Sequence, residues 1–157
     1  MSSHYTLLLS LPLSPEQAAA NADVLQFVIG DAEQAPASFP SHKFFKSFDP
    51  RYRLHKAYGS FGAGAWQSGF WQECDESGQC TRAGVNLCLP GILLEGIEED
   101  AFLLADWLAS MSNADGAVGL VMSEDLPDSE PMVLYVRDAR LHIGVAKFSD
   151  AGLFGRG

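Results

Sequence analysis

The stretch YTLLLSLPLSPEQAAANADVLQFVIG, residues 5–30, carries a strand, a stop and a helix in succession. Residues 5–11 are rich in leucine and end at Pro12, as a strand and its boundary do. Ser14 offers an N-cap, Pro15 suits the first helical position, and Gln17 stands three residues after the serine, as a capping box requires. Gly30 sits where the helix should stop, so a helix is expected over residues 15–29. Ala18, Ala22, Leu25 and Ile29, with Val28 beside them, recur at three- and four-residue spacing and give that helix one apolar stripe to lay on a sheet.

Working outward, residues 31–40 are rich in proline and alanine and read as a loop. Residues 42–48 and 51–58 are short and aromatic around Asp49-Pro50, the pattern of a hairpin. A second hairpin is expected from residues 66–74 and 80–89 around Asp75-Glu76-Ser77-Gly78, with Gly78 suited to the left-handed turn position. A second helix is expected over residues 97–111. Glu98, Glu99 and Asp100 crowd its first turn, where negative charge meets the positive end of the helix dipole. Ile97, Ala101, Leu104, Ala105, Leu108 and Met111 form its buried stripe, widened by Phe102, Leu103 and Trp107. Strands follow at 117–123, 132–137 and 140–146, the last two joined tightly at Asp138-Ala139, and residues 148–157 are expected to be a loosely held tail. Two units of strand, helix and strands predict a single α+β domain over residues 1–157. Its expected form is a mostly antiparallel sheet with two helices on one face, ferredoxin-like or a related two-layer sandwich.

Hydrophobic residues make up 47% of the 157-residue chain and charged residues 19%, a composition that folds rather than stays disordered. No apolar run approaches the roughly 18 residues of a membrane span. The N-terminus has neither a basic leading segment nor a small-residue cleavage site, so no signal peptide is read and a cytoplasmic location is expected. The three cysteines, Cys74, Cys80 and Cys88, are an odd set without an export signal, which points to reduced thiols. Their spacing is wrong for a paired C-x-x-C knuckle, so no metal is expected. A Cys74–Cys80 hairpin bridge is the alternative under oxidising conditions.

The net charge of −10 is unevenly spread: residues 73–130 hold thirteen acids against Arg82 alone. Such a field repels nucleic acid and anionic membrane, and it speeds the approach of a basic partner. Lys43, Lys46, Arg51, Arg53 and Lys56, interleaved with Phe44, Phe45, Phe48 and Tyr52, have the make-up of a single-strand nucleic-acid platform. Their local excess is small beside −10, and pairing with the chain's own acids is the expected use. Residues 59–65, GSFGAGA, lack the Gly-Lys-Ser/Thr ending of a phosphate loop.

No catalytic constellation is legible. His4, His42, His55 and His142 are scattered, without H-x-H or H-E-x-x-H spacing, and no serine stands in a nucleophile elbow. Glu124, Asp125, Asp128 and Glu130 lack the alternating ligands and central glycine of a calcium loop, so they read as a solvated acidic loop. Cys88 has no local cue for an activated thiolate. Neither an enzyme nor a cofactor is expected. Trp66 and Trp71, in a charge-free stretch, are candidate interface anchors.

The run LADWLASMSNADGAVGLVMSEDLPDSEPMVLYVRDARLHIG, residues 104–144, together with the chain's size, acidity and α+β layout, resembles immunity proteins of bacterial polymorphic and type VI secreted toxins. That resemblance implies a non-enzymatic protein that binds and neutralises a cognate toxin in the producing cell's cytoplasm, with a basic nuclease toxin fitting the acidity. The candidate partner-binding residues are Glu95, Glu98, Glu99, Asp100, Glu124, Asp125, Asp128, Glu130, Trp66 and Trp71. Two other classes stay open: a structural or adaptor module of phage or secretion origin, and an enzyme or small-ligand binder whose site is assembled from distant residues.

Overall fold

Leucine at every second position of strand β1 (His4–Leu13) sets the core: Leu7, Leu9, Leu11 and Leu13 are buried, whereas Ser10 and Pro12 on the opposite face are exposed. The computed structural model describes residues 4–30, 32–47, 68–93, 98–126 and 128–145. On one side β1 pairs antiparallel with β3 (Cys80–Leu93), its four leucines facing Leu89, Leu87, Val85 and Ala83. On the other it pairs with β4 (Gly116–Ser123), Leu7 facing Val121 and Leu9 facing Gly119. Adding β2 (Gly69–Cys74), β5 (Met132–Arg137) and β6 (Arg140–Val145) gives a six-stranded antiparallel sheet in the order β2-β3-β1-β4-β5-β6. The α+β class and the antiparallel sheet are therefore as expected.

The helices depart from expectation in two places. Residues 15–29 form not one helix but two, α1 (Pro15–Ala20) and α2 (Ala22–Val28), broken at Asn21 with φ −115° and ψ 17°. The Asn21 side chain donates back to the Gln17 carbonyl at 2.9 Å, the kind of local bond by which asparagine competes with a helix interior. The capping box is only half made. Ser14 Oγ accepts from Gln17 N at a long 3.5 Å, while the Ser14 N–H donates to Met111 O at 2.8 Å.

The expected strand at 42–48 is instead the short helix α3 (Lys43–Ser47). Packing decides this. In the helical form Phe44 and Phe45 both reach Trp107, at ring-centroid distances of 6.2 and 4.8 Å. Lys43 and Lys46 lie on α3, while Arg51, Arg53, Lys56, the expected strand at 51–58, the glycine-rich 59–65, Trp66, Glu95 and the tail lie outside the described residues.

The second helix, α4 (Glu98–Ala109), buries Ala101, Leu104, Ala105, Trp107 and Leu108 in the same core as Ala18, Leu25 and Val28 of α1 and α2. Helix α1 approaches β3, and α4 approaches β1, β3 and β6. Each fully buried leucine contributes about 1.5–3 kcal/mol relative to exposure. Among the described residues no helix is long and apolar enough to cross a membrane.

The β5–β6 connection is as tight as expected. Asp138 and Ala139 both take positive φ, 51° and 55°, the pair of values a type I′ turn needs. Alanine has no means of relieving that conformation, so Ala139→Gly should raise stability by about 1 kcal/mol in urea unfolding. A loss of stability would show that the turn does not hold this geometry.

Candidate functional site

Strand β3 ends at Leu93, opposite His4, and α4 begins five residues later at Glu98, which tethers its start toward the His4 end of the sheet. The segment after α4 is tied to the end of β1, since Ser112 Oγ donates to the Pro12 carbonyl and Ser14 N–H to Met111 O. The backbone of its first turn, at residues 98–100, therefore lies toward the His4 end of the sheet.

The β4–β5 loop is at that same end. The Glu124 N–H donates to His4 O at 2.8 Å, and Glu124 Oε1 accepts from Thr6 Oγ1 at 2.6 Å and from the Gly91 N–H at 2.8 Å. One carboxylate thus joins β1, β3 and β4. The Thr6 hydroxyl first and the Gly91 N–H second hold its carboxyl below the usual glutamate range, with His4 adding attraction and partial burial and Asp125 opposing. Asp125 Oδ2 accepts from the His4 N–H at 2.6 Å and lies 3.5 Å from its Nδ1. Asp128 and Glu130 differ from these two. Both are exposed, and neither side chain has a hydrogen bond or ion pair among the described residues.

The two acidic runs are thus brought to one end of the sheet, but Trp71 is not brought there with them. It pairs with Gly84, which faces Pro12 on β1. From Pro12 back to His4 the strand rises roughly 26 Å. The Trp71 indole covers Gly84, where any Cβ would stand 2.5 Å from Cζ2, and the Arg82 guanidinium lies 5.8 Å from the ring centroid. Arg82 Nη1 also reaches the Glu73 carboxylate at 3.1 Å. Trp71, Arg82, Ser10, Pro12, Asn86 and Asn113 border an open cleft of about 570 Å³, in which Ser10 Oγ donates to Asn86 Oδ1 at 3.0 Å.

A second polar junction was not singled out from sequence. Asp106 of α4 accepts from the Leu141 N–H at 3.0 Å and from Arg140 Nε at 3.3 Å, and lies 3.4 Å from His42 Nε2. His42 Nδ1 accepts from the Phe44 N–H at 3.2 Å, which leaves Nε2–H as the donor to Asp106. Burial pushes the Asp106 carboxyl up, but the Leu141 N–H, the Arg140 charge and hydrogen bond and the His42 hydrogen bond outweigh it, so it ionises more readily than usual. A depressed carboxylate stabilises the fold above the unfolded-state value of about 3.9, and that contribution is lost as pH falls through the lower folded value. Asp106→Asn should cost roughly 1–3 kcal/mol at neutral pH, because it weakens charged hydrogen bonds at a side chain only 18% exposed. The deficit should shrink below about pH 4. Urea unfolding at both pH values measures this, and an equal deficit at both would contradict the linkage.

The remaining candidates stay apart. His142 stacks on Tyr135 with centroids 5.2 Å apart, and His4 and His42 are engaged as described. Among the described residues no group of three or more histidines, cysteines or carboxylates is arranged to hold a metal ion. The acidic end offers the geometry of a charged docking surface, and the cleft beside Trp71 offers one aromatic wall with amide and hydroxyl groups. No family model, curated protein or solved structure matches the chain.

Proposed function

We propose that the chain is a non-enzymatic protein-binding domain, an immunity protein that neutralises a basic, nuclease-type bacterial toxin in the cytoplasm by binding it directly. What supports the reading is the acidic β4–β5 loop at the His4 end of the sheet, with Asp128 and Glu130 exposed, together with the backbone of the start of α4 tethered toward the same end. Charge gathered in this way raises the encounter rate with a basic surface and disfavours acidic competitors. Asp128 and Glu130 have carboxylates not engaged within the described fold, so they meet a partner without first giving up an internal bond.

The same reading includes a ferredoxin-like two-layer sandwich extended by β5 and β6, with α1, α2 and α4 on one face. The order β2-β3-β1-β4, which is that of paired split β-α-β units, and the single core shared by helices and strands support it. A small-ligand-binding reading is favoured by one observation, the cleft beside Trp71.

The test is a pull-down from the native organism, with mass spectrometry of what is retained and titration of the purified pair. The expected result is one basic protein, bound at one-to-one stoichiometry, whose toxic activity is lost on binding. Retention of a metabolite alone, or of no stoichiometric protein, would overturn the reading.

A further inference from the structure

The β2–β3 hairpin holds two thiols directly opposite one another. Its turn is closed by the Asp75 N–H donating to Gln79 O and the Gly78 N–H donating to Asp75 O, both at 2.9 Å, with Gly78 at φ 82°. Asp75 Oδ1 also accepts from Ser77 N, Ser77 Oγ and Gln79 N at 2.9, 2.6 and 3.0 Å, so the turn is fixed from within. The next cross-strand partners beyond Asp75 and Gln79 are Cys74 and Cys80. The register shifts between Glu73 and Cys74, and directly opposed residues of an antiparallel pair have Cα atoms roughly 4.5–5.5 Å apart. That spacing falls within the disulfide window of roughly 4.4–6.8 Å.

All three thiols are free, Cys74 being exposed and Cys80 half-buried. The Gln72 amide donates to Cys80 Sγ at 3.7 Å, and the Cys80 thiol donates to the Arg82 carbonyl at 3.4 Å. Cys88 is excluded as an alternative partner. It faces Leu8 on the far side of β3 and stands eight residues along the strand from Cys80, about 26 Å.

We infer that Cys74 and Cys80 form a reversible dithiol site, closed to a cross-strand disulfide by a low-molecular-weight disulfide of the glutathione class. The exposed Cys74 thiolate attacks one sulfur of the reagent, breaking its S–S bond and releasing one reduced thiol. The Cys80 thiolate then attacks Cys74 Sγ and displaces the second. One S–S bond forms for the one broken, two electrons pass to the reagent, and the two cysteine protons leave on the released thiols. Because the bridge lies at an exposed sheet edge, excess dithiol reopens it. Closure ties edge strand β2 to β3 just beyond Trp71 and the Glu73–Arg82 pair.

The experiment treats the reduced full-length chain with glutathione disulfide under inert gas, followed by alkylation and intact mass measurement. It is run on the wild type and on Cys88→Ser, Cys74→Ser/Cys88→Ser and Cys80→Ser/Cys88→Ser. The wild type and Cys88→Ser should lose two hydrogen masses and both hairpin thiols, and regain the thiols with dithiothreitol. Fragmentation of the wild type should give a Cys74–Cys80 linkage. Each double variant has a single thiol and should stop at the glutathione adduct. A wild-type product that keeps both hairpin thiols, carries glutathione on each, or links either to Cys88 would overturn the inference without recourse to any variant.

Discussion

Gly119→Ala should lower stability by roughly 3 kcal/mol, the upper part of the range for overpacking a filled site. Gly119 stands in β4 next to the irregularity that separates Ala117 from Gly119 in their pairing with β5, and it faces Leu9 across the sheet. A Cβ there would land on the carbonyl oxygen of Leu8, well inside contact distance, with Leu8 C and Leu9 Cα both 3.1 Å away. These are backbone atoms of β1, which is paired on both sides, so no side chain can swing away to make room. Relief requires the β1–β4 ladder to separate, and each hydrogen bond lost there costs about 0.5–1.5 kcal/mol. For a chain of this size the expected fall in melting temperature is about 10 °C. Gly69→Ala is the control. A Cβ at Gly69 meets nothing within 4 Å, and the change should fall within about 0.5 kcal/mol of wild type. Equal stability of the two variants would contradict the β1–β4 register.

Charge reversal at the acidic end should slow association with the proposed basic partner roughly tenfold or more, in the range of steering effects at charged surfaces. The structure dictates which acids to change. Glu124 and Asp125 hold Thr6, Gly91 and His4, so reversing them would damage the fold and blur the result. Asp128→Lys/Glu130→Lys changes only exposed carboxylates without internal partners among the described residues. A second variant, Glu98→Gln/Glu99→Gln/Asp100→Asn, neutralises the first turn of α4, at a cost of roughly 0.3–1 kcal/mol for each lost interaction with the helix dipole. Melting curves separate that cost from binding. The expected pattern is a slower association rate in both variants and a nearly unchanged dissociation rate, because dissociation is set by buried anchors.

What could be read from sequence was what local chemistry determines. The leucine-rich strand over residues 5–11, the glycine at 78 and the tight turn at Asp138-Ala139 each depend on a few residues and formed there, although β1 runs through Pro12, read as its end, to Leu13. The aromatic segment HKFFKSF suits a strand by propensity, but Trp107, more than sixty residues away, draws Phe44 and Phe45 onto itself through a helical turn. Asn21 lies inside the span read as one helix, and its side chain bonds back to the Gln17 carbonyl at the break. The site followed the same division. The acidic runs were visible as composition, whereas the convergence of Glu124 with Thr6, 118 residues apart, and of Asp106 with Leu141, 35 apart, depends on the folded sheet. An acid between Ala105 and Trp107, inside an apolar stripe, was the one local sign that Asp106 faces a polar partner.

The most direct measurement of the central claim is the association rate of the wild-type chain with the protein it retains in the pull-down, followed by stopped flow across a range of salt concentrations. Binding guided by the acidic end predicts a rate that falls steeply as salt rises, and a slope that flattens in Asp128→Lys/Glu130→Lys. A rate independent of salt, with the same slope in both proteins, would contradict it.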